Sequence, residues 1–133
     1  MTDNIALADQ FFTATATADR SLLAKICDPK FQGKQNDGPP MPADQLADYS
    51  ALVLHLVNDI RYENVIREST DTGFVEGYDL CCRFEDQTEL RLRVCVVAEV
   101  VNDRIFSVRE YADSRAAKKL IEALTRCLSA DIS

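Results

Sequence analysis

The chain has 133 residues, 47% hydrophobic and 28% charged, with 4 Gly and 4 Pro; this is the composition of one globular domain over residues 1–133 and excludes a low-complexity or disordered chain. At this length about two-thirds of the unfolded surface is buried without help from disulfides or metals. Fifteen basic against 22 acidic residues leave a net charge of −7, which repels phosphate backbones and anionic lipid, so neither a nucleic-acid nor a membrane partner is expected.

Helical spacing opens the chain. Ile5, Ala8, Phe12 and Thr15 fall on one face, and Phe11 widens the stripe. Asp19 is placed to cap a second helix, Arg20 to Ile26, with Leu22, Leu23 and Ile26 inward. Cys27-Asp28-Pro29 ends it, because a proline disfavours helical geometry in the residue before it. A short strand is predicted from Phe31 to Gln35, then a turn at Asn36-Asp37-Gly38-Pro39-Pro40. A third helix follows from about Ala43 to Val57, with Leu46, Tyr49, Val53 and Leu56 on one side.

From Asp59 the period changes to two. Strands are predicted at Ile60–Ser69, Phe74–Glu85, Thr88–Val101 and Ile105–Tyr111, joined by Asp71-Thr72-Gly73, Asp86-Gln87 and Asn102-Asp103-Arg104. Connections this short impose an antiparallel meander. Asp113 or Ser114 then caps a last helix, in which Ala117, Leu120, Ile121, Leu124 and Leu128 repeat at helical spacing. Three helices, a long curved antiparallel sheet and one helix make an α+β layout, with the helices on one face of the sheet.

The start, Met-Thr-Asp-Asn-Ile-Ala, has neither a basic segment nor a long apolar one, so a signal peptide is not expected. The apolar run Val94–Val101 is interrupted by Glu99 and falls short of the roughly 20 residues of a membrane span. Cys27, Cys81, Cys82, Cys95 and Cys127 are odd in number and lack C-x-x-C spacing, which points to reduced thiols in the cytoplasm and away from a zinc site. No phosphate-cradling glycine loop, metal cluster or Ser-His-Asp signature is present, so no cofactor and no metal are expected. The lone histidine, His55, reads as structural, Asp113 as a helix cap and Gly38-Pro39-Pro40 as turn chemistry.

Turn lengths set the sheet register. A two-residue loop at Asp86-Gln87 pairs Glu85 with Thr88 and sets Asp79 opposite Val94. A three-residue loop at Asn102–Arg104 pairs Val101 with Ile105 and sets Glu110 opposite Val96. Leu90, Leu92, Val94, Val96 and Ala98 form the apolar face that should meet the helices, with Val75, Gly77, Asp79 and Cys81 on one flank. Phe106, Val108 and Glu110 stand on the other flank. Asp79 and Glu110 are thereby expected on the apolar side, roughly 10 Å apart. Two carboxylates in a dry site raise at least one pKa, as a general acid or base at neutral pH requires. The alternative is a pair satisfied by Tyr62, Asn64 or a backbone amide. The opposite face, with Glu76, Tyr78, Leu80, Cys82 and Phe84 beside Arg91, Arg93 and Cys95, is apolar enough to suggest a sheet-to-sheet homodimer, or else a solvated face with Arg–Glu pairs.

The element order, the helix start Ala8-Asp9-Gln10-Phe11-Phe12 and the ending Asn102-Asp103-Arg104-Ile105-Phe106-Ser107-Val108-Arg109-Glu110-Tyr111-Ala112-Asp113 resemble the SnoaL-like branch of the nuclear transport factor 2-like superfamily, from about Ile5 to Leu124. The resemblance implies a cone-shaped α+β barrel, usually dimeric, with a deep apolar pocket for a small organic ligand. It spans polyketide cyclases, limonene-epoxide hydrolases, ketosteroid isomerases and non-catalytic modules. Glu110 and Asp79 are the implied catalytic pair, and Phe12, Phe31, Tyr62, Asn64, Cys81, Leu92, Val94, Val96 and Val108 the implied ligand-binding residues. The epoxide-hydrolase pattern departs here, with Gly77 in place of its Arg and Phe31 and Gly33 in place of its Tyr and Asn. The ketosteroid-isomerase pattern departs at Phe11, at Lys34 or Gln35, and at Val96. Proton-transfer chemistry on an apolar carbonyl compound, meaning isomerisation, cyclisation or hydration, is the expected activity; the alternative is a non-catalytic binding or dimerisation module.

Overall fold

The computed structural model describes residues 3–132, with side chains as far as Cys127; the Leu128 side chain of the predicted last-helix stripe lies outside the described residues. The elements run α1 (Asn4–Thr17), α2 (Arg20–Ile26), β1 (Cys27–Gln35), α3 (Ala43–Leu56), β2 (Val57–Ser69), β3 (Gly73–Phe84), β4 (Glu89–Val101), β5 (Arg104–Ala112) and α4 (Lys118–Ile132). Each predicted element is present, and its ends follow local chemistry. The Asp3 carboxylate accepts from the amides of Ile5 and Ala6 at 3.0 and 3.1 Å to start α1, and Asp19 accepts from Leu22 to start α2. Ala18, in the left-handed region at φ 51°, ends α1. The buried stripe of α1 is Leu7, Ala8, Phe11 and Ala14, rotated from the predicted one, so Ile5 is exposed while Phe12 and Thr15 lie at the stripe's edge.

Strand order is β1-β5-β4-β3-β2. The last four strands form the predicted antiparallel meander, but β1 starts at Cys27 and pairs parallel with β5, so the five-stranded sheet is mixed. Pro29 is accommodated because β1 is an edge strand whose register shifts between Cys27 and Gln32. Two further register shifts in β2, near Asp59 (φ 53°) and Asn64 (φ 54°), are bulges that bend it. The curved sheet wraps a core in which Leu23, Phe74, Ile105 and Cys82 are almost wholly buried. Each large side chain so buried contributes about 1.5–3 kcal/mol.

The two hairpins differ from expectation by one residue each, with opposite consequences. Between β3 and β4, the Gln87 amide donates to the Phe84 carbonyl and the Phe84 amide to the Thr88 carbonyl, both at 2.9 Å, closing a three-residue loop with Gln87 left-handed at φ 71°. Tyr78, not Asp79, therefore faces Val94, and Leu80 faces Leu92. A one-residue slip exchanges the faces of a whole strand. The inward set of β3 is Phe74, Glu76, Tyr78, Leu80, Cys82 and Phe84, whereas Val75, Gly77, Asp79, Cys81 and Arg83 point away from the helices. Between β4 and β5 the loop is only Asn102-Asp103, both left-handed (φ 51° and 65°), as a type I′ turn requires. A bulge between Glu99 and Val100 absorbs the difference, turning Ile105 inward and restoring Glu110 opposite Val96 as predicted.

Two substitutions test these turns. Gln87→Gly removes the side chain from a left-handed position and should stabilise the protein by about 1 kcal/mol, read as a rise in midpoint of a few degrees in thermal unfolding. Gly73→Ala should destabilise by about 2 kcal/mol or more in denaturant titration, because an added Cβ lies 2.0 Å from the Ala98 carbonyl oxygen.

Candidate active site

Between the helices and the inner face of the sheet lies an open-mouthed cavity of about 140 Å³. Phe11, Phe12 and Thr15 reach it from α1, Leu46, Tyr49, Ser50, Val53 and Leu54 from α3, and Leu120 from α4. The sheet supplies Tyr62 from β2, Tyr78, Leu80 and Cys82 from β3, Leu92 and Val96 from β4, and Val108 and Glu110 from β5. Most of this wall is apolar, as binding cavities for small organic molecules are.

Glu110 is the carboxylate in that wall. Parallel pairing of β1 with β5 sets Gln35 beside it, and the Gln35 amide donates to its carboxylate at 3.0 Å. Glu110 makes no ion pair among the described residues. Burial pushes its pKa above the ordinary glutamate value, and the Gln35 hydrogen bond opposes that only in part. Tyr49, Tyr62 and Tyr78 surround it, and each phenol is pushed up, first by burial and then by the Glu110 charge. They thus remain neutral O–H donors. The aromatic wall is continuous: Tyr62 meets Tyr78 edge to face at 5.2 Å, and Tyr78 meets Phe12 at 5.6 Å.

A second inward carboxylate, Glu76, has the opposite environment. Its nearly inaccessible side chain is gripped by the Arg67 guanidinium, whose Nε and Nη2 both donate to it. Arg67 Nη1 also reaches Asp9 at 3.2 Å, and the guanidinium lies 5.9 Å from the Phe12 ring centroid. This bridge ties α1, β2 and β3 together and uses Glu76 structurally.

Of the residues expected in the site, Glu110, Phe12, Tyr62, Leu92, Val96 and Val108 line the cavity. Asp79 does not: the hairpin register turns it to the outer face, where it accepts from Asn64 Nδ2 and Arg91 Nη2, each at 3.0 Å, with Arg93 at 4.0 Å. The Asn64 hydrogen bond first, and then Arg91, hold its carboxyl below the ordinary range. Asn64 and Cys81 share that outer environment; Phe31 and Val94 are buried in the core outside the cavity wall. Tyr78, Leu80 and Cys82, which a two-residue loop would turn outward, face the cavity because the loop has three residues. Tyr49 was already on the apolar side of its helix, but only the parallel β1–β5 pairing brings Gln35 to Glu110.

The raised pKa has a testable sign. An acid whose folded pKa exceeds its unfolded value of 4.5 contributes its full stability below that value and loses it as pH rises through the folded pKa. Glu110→Gln should therefore match the wild type in thermal unfolding at pH 4 and exceed it at pH 8. A variant less stable at pH 8 would contradict a desolvated, unpaired carboxylate.

No protein-family profile matches the sequence, and no curated protein does so. Solved structures do. An NTF2-like protein from Burkholderia xenovorans superposes with a TM-score of 0.75 at 16% identity, covering 87% of this chain and 93% of that one. A protein assigned as a SnoaL-like polyketide cyclase from Jannaschia sp. CCS1 gives 0.71 at 14% identity, covering 86% and 88%. An LEH-like epoxide hydrolase from M. tuberculosis gives 0.66 at 15% identity, covering 97% and 94%. Likeness at such identities concerns architecture alone: four helices on a curved five-stranded sheet, the α+β fold of the nuclear transport factor 2-like proteins.

Proposed function

We propose that the chain binds a small, largely apolar organic molecule in the cone and moves a proton on it, with Glu110 as the acid–base group. The observation that carries this reading is a desolvated carboxylate facing a mostly apolar cavity, with its pKa raised and three neutral phenols around it. For a carbonyl compound, ionised Glu110 takes a proton from the carbon beside the carbonyl. A phenol O–H of Tyr49, Tyr62 or Tyr78 donates to the enolate oxygen, replacing a weak water hydrogen bond with a fixed one in a dry site. Return of the same proton to a different carbon completes an isomerisation; attack of the enolate carbon on a second carbonyl of the same molecule, whose alkoxide then takes the proton back from Glu110, completes a cyclisation. No other carboxylate lines the cavity among the described residues, so Asp79 is no partner in this scheme. Hydration by a carboxylate pair is correspondingly disfavoured. The fold's occurrence in an epoxide hydrolase and in a SnoaL-like cyclase supports a small-molecule site without choosing the reaction.

A non-catalytic binding module is the second reading, favoured by the Gln35 hydrogen bond that partly satisfies Glu110. We also propose a second copy of the chain as partner at the outer sheet face. Exposed Tyr111 and Cys95 and the cross-strand charges of Asp79, Arg91 and Arg93 offer both signs to a two-fold mate. The thiols, all free and three of them buried, support a reducing, cytoplasmic setting.

Deuterium exchange separates the two readings. The wild type should catalyse exchange from D2O into the α-position of at least one member of a panel of small cyclic ketones and enones, followed by NMR, and Glu110→Gln should lower that rate by about 10²-fold or more. Binding without exchange across the panel would leave the module reading.

A further inference from the structure

The ion-pairing pattern of the inner sheet face leaves one charge uncompensated. Glu76 has Arg67; Glu110 has a neutral amide. Glu110 is half-buried; a carboxylate facing a mostly apolar cavity without a cation is under-compensated, and two remedies exist: it takes up a proton, or a positive charge is brought to it. Lys34 of β1 lines the cavity, yet it is exposed and forms no ion pair with Glu110. Sharing the cavity wall with the carboxylate are instead the aromatic rings of Tyr49, Tyr62, Tyr78 and Phe12, the last three packed edge to face in series. Aromatic faces attract a cation through their quadrupole, most strongly where water is excluded. Phe12 already has the Arg67 guanidinium 5.9 Å from its centroid.

We infer that the favoured ligand of this cavity carries an organic cation, an alkylated ammonium on an apolar body, whose charge sits between Glu110 and the tyrosine rings. This deepens the proposed function and rests on the same pocket, naming the ligand's charge where that proposal names the chemistry. It also fits the wider field: a net charge of −7 enriches cations near the protein and disfavours anionic ligands. The groups facing Glu110 leave it as the group whose ionisation governs binding at neutral pH. Tyr49 from α3, Tyr62 from β2 and Tyr78 from β3 are pushed upward and stay neutral, Cys82 from β3 is likewise raised, and Glu76 is held by Arg67. Lys34 from β1 is the basic side chain of the wall among the described residues, and α1 and α4 add no titratable group to it.

The test uses the full chain and two isosteric probes, phenyltrimethylammonium, which has no proton of its own to titrate, and tert-butylbenzene. Binding is followed by NMR shifts of the cavity side chains. At pH 8 the cation should bind at least about tenfold tighter than its neutral isostere. Its affinity should rise with pH from 4 to 8 as Glu110 ionises, with release of a proton on binding. Glu110→Gln, expected to fold well, should abolish both the preference and the pH dependence, and Tyr78→Leu should reduce the preference. Equal affinity for the two probes, or a cation affinity indifferent to pH or to Glu110→Gln, overturns the inference. Ketone exchange that depends on Glu110 without cation preference would overturn it while leaving proton transfer intact. Cation preference without exchange would support it and remove proton transfer instead.

Discussion

The register of the β3–β4 hairpin decides which side chains this cone contains. Gln87 in the left-handed region adds one residue to the loop, and β3 consequently presents Tyr78, Leu80 and Cys82 to the cavity and Asp79 to the outer surface. The assignment is also the one that electrostatics favours. Outward, Asp79 finds Asn64 and two arginines; inward, it would face apolar Leu92 and Val96 without a cation. Tyr78 makes the reverse exchange, burying an aromatic ring that packs between Phe12 and Tyr62. Turn geometry, burial and charge agree, which is how a single register comes to be specified.

Curvature then determines how much room remains. The bulges of β2 and the bulge of β5 bend the sheet around α1 and α3, so the inner faces cannot close on one another. Side chains such as Phe74 and Leu23, both inaccessible, fill part of the space between helices and sheet, and the cavity occupies another part. The two inward carboxylates divide along the same line. Glu76, in the filled region, is neutralised by Arg67 and knits three elements together; Glu110, at the cavity, is held by an amide alone. A protein that supplies a guanidinium to one buried carboxylate and only a carboxamide to the other leaves the second responsive to whatever enters the cavity. That responsiveness is what the proposed proton transfer and the proposed cation recognition have in common.

The neighbours in fold space carry different activities on this framework, which is expected when chemistry depends on a few wall residues. Here the wall offers one carboxylate, three phenols and no described metal-binding cluster. The proposed single-group proton transfer draws on that inventory, in which no second carboxylate lines the cavity among the described residues.

Much of the architecture was legible in the sequence. Helical spacing, the Asp19 cap, the change of period after Asp59 and the tight turns identify the elements, because such signals depend on residues close in the chain. Glu110 stands opposite Val96 as the sequence predicts, although the loop is one residue shorter than predicted and the β5 bulge makes up the difference. Three features were not legible. The hairpin at Gln87 hinges on a left-handed residue that is not glycine, asparagine or aspartate, so nothing in its type announces the extra loop position. The parallel pairing of β1 with β5 joins segments some 75 residues apart, and it alone brings Gln35 to Glu110. The pairing of Arg67 with Glu76 depends on the β2 bulge that turns the arginine inward. The sequence by itself determined the elements and their order, since local periodicity and short loops encode those. Tertiary structure alone decided which carboxylate keeps a counterion, because that depends on which distant strands curvature and register bring face to face.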